Sequence, residues 1–222
     1  MHATDSTPAS TPPFLEIRNV KKSFGGVKAL KEVSLVIEAG QIYHLMGENG
    51  CGKSTLIKIL SGAQPADEGQ IFIDGKPTGA RAGDIGAIGS LRAGIETVYQ
   101  DLSLLPNLSV AENVAFTEQL VEASGKLARK LDVAALNETA RRALAEVHLP
   151  TDAAFLKRRT DTLPLATRQL IAIARAVASE ARLVIMDEPT TSLTRQEVVN
   201  LLRVVEGLLS KGVAVLFVTH KL

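Results

Sequence analysis

The chain has 222 residues, 45% of them hydrophobic and 22% charged, with a formal net charge of +1. That suits one sizeable globular domain, or one domain with a small lobe, and leaves no basic footprint for a general nucleic-acid binder; the densest basic run, Lys157-Arg158-Arg159, reads as solvated surface. The lone cysteine, Cys51, excludes an intrachain disulfide, and neither a secretory apolar core nor an apolar run of membrane-spanning length is present, so membrane association is expected only through a partner.

Residues 1–13 are rich in Thr, Ser, Ala and Pro and read as a disordered tail. Residues 15–20 alternate apolar and polar, as a half-exposed strand does. Gly25-Gly26 marks a turn, residues 33–37 read as a second strand, and Ala39-Gly40 as another turn. Residues 42–46 form a short apolar strand that runs straight into Gly47. Beyond Lys53, the residues Leu56, Ile57, Ile59 and Leu60 suit a helix that Ser61-Gly62 stops. Residues 70–73 read as a strand closed by the hairpin signal Asp74-Gly75. Residues 76–91, rich in Gly and Ala, have too weak a period to assign. Residues 95–99 read as a strand, and from about 109 to 179 the pattern is mostly helical, with segments around Val110, Val114 and Leu120, over 136–147 and over 170–177. The unbroken run Leu183-Val184-Ile185-Met186 marks a strand buried on both faces. An amphipathic helix over 195–209 and a buried strand over 213–218 complete an α/β core with a helical lobe and no internal repeat.

Residues 47–55, Gly47-Glu48-Asn49-Gly50-Cys51-Gly52-Lys53-Ser54-Thr55, match the phosphate-loop pattern. The glycines let backbone N–H groups turn inward around an anion, and the helix after them adds its positive end. Lys53 is expected to reach the β- and γ-phosphates of ATP, and the Ser54 hydroxyl to bind Mg²⁺. An ordinary glycine-rich turn is the bland alternative, which the flanking strand and helix disfavour. At the end of the second apolar run, Asp187 is placed to hold the Mg²⁺ through water and Glu188 to polarise an attacking water.

These residues and their order resemble the ATP-binding subunits of ABC transporters over nearly the whole chain after the tail. Asp187-Glu188-Pro189-Thr190 continues into Thr191-Ser192-Leu193-Thr194, similar to that family's D-loop. The resemblance implies that His220 contacts the γ-phosphate, that Gln100 senses Mg²⁺ and the membrane subunit, and that Phe24 stacks on adenine. It implies an α/β P-loop NTPase core with a mixed or parallel sheet, an N-terminal antiparallel β part, and a helical subdomain at about 104–178 within a domain spanning 14–222. Phe24-Gly25-Gly26-Val27-Lys28-Ala29-Leu30, Gly47-Glu48-Asn49-Gly50, Thr219-His220-Lys221-Leu222 and Thr194 resemble the importers of simple sugars, specifically the first of their two ATP-binding halves. His44 is read as packing within its strand. On this resemblance the chain is expected to be a fragment truncated after the switch histidine. Its function would be ATP hydrolysis driving sugar import, at the cytoplasmic face of the bacterial inner membrane. Its partners would be a second ATP-binding domain, permease subunits through residues 101–118, and indirectly an extracytoplasmic sugar-binding protein. A soluble non-transport ATPase and an ATP-binding regulator with weak turnover are the alternatives.

One motif departs from the family. Where a signature such as LSGGQ belongs, the chain has Leu163-Pro164-Leu165-Ala166-Thr167, expected to precede a helix over 170–177. Pro164 has neither the hydroxyl nor the N–H of the serine it replaces, and Leu165 and Ala166 add side chains where glycines admit phosphate. The implied outcome is an own site that works when a partner supplies a good signature, and a weak reciprocal site.

Overall fold

A computed structural model describes residues 12–123 and 132–219. The tail expectation for 1–13 therefore falls almost wholly outside the described residues, as does His220. In chain order the elements are β1 (Leu15–Phe24), β2 (Val27–Ile37), β3 (Ile42–Met46), α1 (Lys53–Leu60), β4 (Glu68–Ile73), β5 (Lys76–Pro77), α2 (Gly86–Arg92), β6 (Ile95–Val98) and α3 (Val110–Ala123). They continue with α4 (Val133–Glu146), α5 (Ala153–Leu156), a single 3₁₀ turn (Thr160–Thr162), α6 (Leu165–Ala178), β7 (Leu183–Asp187), α7 (Arg195–Ser210) and β8 (Ala214–Thr219).

The strands form two sheets. The antiparallel one has the order β2-β1-β4-β5, and the parallel one β3-β8-β7-β6. Alternation along the parallel strands divides the core. Leu183 and Ile185 on β7, with Ala214, Leu216 and Val218 on β8, pack towards α1 and the antiparallel sheet. Val184, Met186, Val215, Phe217 and Val98 face the opposite way, into the apolar sides of α3, α4, α6 and α7. β7 and β8 are covered on both faces, which is why they read as continuous apolar runs, whereas the edge strand β3 leaves Ile42 and Met46 exposed. Arg182 joins the layers, donating to both carboxylate oxygens of Asp74 at 2.7 Å with its guanidinium 4.4 Å above the Phe14 ring.

Several boundaries differ from the sequence reading. β2 starts at Val27 rather than 33, because pairing with β1 carries it through solvated residues such as Lys28 and Lys31. The unassigned stretch 76–91 holds β5 and most of α2. β6 ends at Val98, one residue early. Helix α6 begins at Leu165, not 170, with Pro164 as its N-cap. Pro164, Leu165 and Ala166 therefore cap and open a helix, where a missing proline N–H costs no helical hydrogen bond.

All four parallel strands end on the same side. Met46 lies beside Thr219, Asp187 beside Val218, and Val98 beside Met186. In open α/β sheets ligands bind beyond these carboxyl ends.

Candidate functional site

The phosphate loop leaves β3 at Gly47 and enters α1 at Lys53. Gly52 is the N-cap with φ 98, and a Cβ there would lie 2.3 Å from the Ala29 carbonyl oxygen of β2. Only glycine fits, so β2 fixes the height of the loop. The turn is closed by the Cys51 N–H donating to the Glu48 carbonyl at 3.3 Å, and the helix is entered by the Leu56 N–H donating to Gly52 at 3.0 Å. The N-cap Gly52 has no side chain to cap α1, which among the described residues leaves the N–H groups of its first turn available to an anion. The Lys53 ammonium donates to the carbonyls of Gly47 at 2.5 Å and Glu48 at 2.8 Å, which holds it against the loop. Glu48, Asn49, Gly50, Cys51 and Ser54 are exposed, and Thr55 is half-buried.

Asp187 is half-buried at the end of β7. Burial, and then the neighbouring charge of Glu188, push its pKa up, while the Lys53 ammonium pulls it back. Lys53 and Asp187, 134 positions apart (187 − 53), thus share one electrostatic environment. Glu188 adopts φ 52, in the left-handed region. Its N–H still donates to the Val218 carbonyl at 2.9 Å, and the Thr191 hydroxyl lies 3.4 Å from its Oε2. Glu188 is one of seven described non-glycine residues at positive φ, so the conformation marks a turn at the end of β7.

Gln100 is exposed just beyond β6 and, with Tyr99, Asp101 and Asp187, lines a depression of about 510 Å³. A narrower crevice of about 40 Å³ brings Gln100, Asp187 and Glu188 together with Thr191 and Ser192. Phe24 is 46% exposed at the hairpin tip, with the Lys22 ammonium 5.6 Å from its ring centre. Its register partner Val27 precedes by two residues Ala29, the neighbour of Gly52, so hairpin tip and phosphate loop are close. His220 follows Thr219, whose register partner is Met46, the residue before Gly47. His44 stacks on Phe217 at 5.5 Å between ring centres, in line with its reading as packing.

The Ser54 hydroxyl, the Asp187 carboxylate and the Gln100 amide oxygen are hard oxygen donors that fit Mg²⁺. Among the described residues no group of three or more His, Cys, Asp or Glu could hold a metal by itself. The set suits an ion that takes its other ligands from phosphate and water. Three features escaped the sequence reading. The left-handed turn at Glu188 has no local signal. Thr194 and Glu197 form a reciprocal capping box that starts α7, which the spacing Thr194-x-x-Glu197 does encode. The third is the buried pair Glu96–Arg175, whose signal is an acid in the short strand Ile95-Glu96-Thr97-Val98.

A phosphate loop after the edge strand of a parallel sheet, with two carboxylates ending a nearby strand, defines a P-loop nucleotide-binding fold. The chain belongs to the ABC transporter family, whose model matches residues 30–191. It is 41% identical over 219 residues to a ribose import ATP-binding protein of Rhizobium johnstonii, covering 99% of this chain and 41% of that protein. It is 42% identical over 211 residues to one of Clostridium perfringens, covering 95% of this chain and 40% of that protein. The chain thus spans about 40% of the length of these relatives. Among solved structures it resembles the ADP conformation of an ATP-binding cassette of an ABC transporter, with 26% identity, a TM-score of 0.78, and coverage of 96% of this chain and 83% of that one. It also resembles a dimeric post-hydrolysis cassette bound to ADP and Pi, with 26% identity, a TM-score of 0.75, and coverage of 93% and 88%.

Proposed function

We propose that this chain is one ATP-binding domain of an ATP-driven importer of a simple sugar, and that it hydrolyses ATP at an interface with a second such domain. The observation that carries the reading is the convergence of the phosphate loop, the Asp187–Glu188 pair and Gln100 at the carboxyl ends of one parallel sheet. The sugar class rests on the relatives, which are named for ribose import.

In this reading the loop N–H groups of residues 47–55 and the start of α1 bind the ATP phosphates, and Lys53 neutralises the β- and γ-phosphate charge. Phe24 offers its exposed ring to the adenine. Glu188 orients and polarises the attacking water, and His220 donates to the γ-phosphate. Mg²⁺, held by Ser54, Asp187 and Gln100, would supply charge neutralisation at the phosphates. Catalysis is then mostly positioning and electrostatics.

The signature residues of the second domain complete the site, and those of this chain face the second domain's nucleotide. Pro164, the N-cap of α6, brings no hydroxyl to that position, and Leu165, 38% exposed at the start of the helix, brings bulk where a glycine would admit phosphate. The reciprocal site is accordingly the weaker one. Permease subunits dock on residues 101–118, where Leu105 and Phe116 are 40% and 39% exposed. Among the described residues no helix is long and apolar enough to cross a membrane. In this reading the domain works through those permeases at the cytoplasmic face of the bacterial inner membrane, with a sugar-binding protein on the far side and no nucleic acid.

The test is ATP turnover by the full polypeptide carrying this domain, reconstituted with its permease in liposomes. A sugar-loaded binding protein should stimulate turnover and drive sugar uptake. Turnover indifferent to permease and sugar would refute the importer reading.

A further inference from the structure

The described residues hold an ion pair in the centre of the apolar core. Glu96 lies on β6 in register with Val184, on the sheet face that also carries Val98, Met186 and Phe217. Arg175 lies on α6. The Arg175 Nε donates to Glu96 Oε1 at 3.0 Å, and the two side chains are 8% and 5% exposed. The Thr117 hydroxyl of α3 reaches the same oxygen at 3.5 Å, while Oε2 is buried and accepts no hydrogen bond among the described residues. Burial pushes the Glu96 pKa up despite its arginine. A buried pair of this kind adds little stability over apolar residues of similar volume. What it adds is direction, since a guanidinium carries several donors in one rigid plane.

The second donor shows where that direction leads. Arg175 Nη1 donates to the Ser103 carbonyl at 2.9 Å, in the loop just after Gln100. There Leu102 and Ser103 have φ 64 and 45, two consecutive non-glycine residues in the left-handed region. Such a turn persists only when its surroundings hold it. Helix α6 also makes a buried contact beside the other half of the site, where Gln169 Nε2 donates to the Pro189 carbonyl at 2.6 Å. Its first turn carries Leu165, Ala166 and Thr167.

We propose that Glu96 and Arg175 are positioning residues that latch the Gln100 loop to helix α6, so that this chain's nucleotide site and the signature end it offers to a partner move as one unit. Glu96 aims the guanidinium, and Arg175 carries the link. The inference rests on the reading of Gln100 as a nucleotide-sensing residue.

Hydrogen exchange read by mass spectrometry on the full polypeptide, with and without MgATP, tests it. Two variants are used: Arg175→Lys, which keeps the charge but loses the rigid planar fork that aims two donors at Glu96 and Ser103, and the apolar double variant Glu96→Met/Arg175→Met. Without nucleotide, residues 100–105 should exchange about tenfold faster in both variants, while strands β7 and β8 keep wild-type protection as the folding control. With MgATP, protection of residues 53–60 should persist and the response of residues 165–170 should be lost. The ATPase kcat should fall about tenfold with KM for ATP within about threefold, a split that a purely structural role would not produce. If the double variant misfolds, Arg175→Lys carries the test alone. Wild-type exchange at 100–105 in a folded variant, or a retained response at 165–170, overturns the latch. Absence of MgATP protection at 53–60 in the wild type would instead count against the nucleotide site itself, leaving the nucleotide-free comparison to decide the latch.

Discussion

Two glycines of the phosphate loop, both at positive φ, should respond very differently to the same substitution. Gly50 has φ 85 and Gly52 φ 98. A Cβ at Gly50 meets nothing within 4 Å, whereas at Gly52 it would lie 2.3 Å from the Ala29 carbonyl oxygen and 2.7 Å from Leu30 Cδ2. Alanine in the left-handed region costs about 1–2 kcal/mol, partly offset by about 0.4–1 kcal/mol from a stiffer unfolded chain, so Gly50→Ala should lose about 1 kcal/mol. At Gly52 the overlap is with backbone, and the forced shift adds about 1–3 kcal/mol, for about 2–4 kcal/mol in all. For a domain of this size each kcal/mol moves Tm by about 2–4 °C. Calorimetry without nucleotide should therefore show Gly50→Ala melting about 2–4 °C early and Gly52→Ala about 4–16 °C early. Equal losses, or a larger one at Gly50, would refute the claim that β2 sets the height of the loop.

Replacing Asp187 by asparagine should stabilise the nucleotide-free protein at neutral pH while abolishing ATP hydrolysis. Burial and Glu188 raise the folded pKa of Asp187 above its unfolded value, so the cost of ionising it appears as pH rises through the carboxylate range and is absent below about pH 3.9. The Tm advantage of Asp187→Asn should accordingly vanish in acid, and an advantage that is unchanged there would contradict the assignment. Glu188→Gln should keep ATP binding and lower turnover by about 10²–10⁴-fold, measured as phosphate release under saturating ATP. Maleimide alkylation of the exposed Cys51 should block ATP binding, and ATP should protect the thiol; equal labelling rates with and without ATP would sink this. Restoring Ser at Pro164 and Gly at Leu165 and Ala166 should raise turnover in the assembled transporter, whereas no change would count heavily against a weak reciprocal site.

The parallel sheet was legible because β7 and β8 are buried on both faces and leave unbroken apolar runs in the sequence. The phosphate loop was legible because its chemistry demands glycines at fixed spacing before Lys53. The start of β2 was not, since Lys28, Lys31 and Glu32 lie on a solvated stretch and only pairing with β1 makes it a strand. Residues 76–91 stayed opaque because β5 is two residues long and Gly86 and Gly89 weaken the helical pattern of α2. Lys53, Asp187 and Gln100 stand out in the sequence as candidates, but the surroundings that Asp187 shares with Lys53 and with Gln100 depend on strand order, which no local pattern encodes. The same is true of Glu96, whose meaning appears only when Arg175, 79 positions away (175 − 96), closes on it.

If residues 47–55 bind the phosphates of ATP with Lys53 at their centre, loss of that ammonium should weaken nucleotide binding. Titration calorimetry of ATP into the wild type and Lys53→Ala, each with and without Mg²⁺, tests it most directly. The wild type should show one Mg²⁺-dependent site per chain, and Lys53→Ala at least about tenfold weaker binding, since a charge-assisted hydrogen bond to phosphate is worth about 1.5–3 kcal/mol. Equal affinity in the two proteins, or binding indifferent to Mg²⁺, would contradict it.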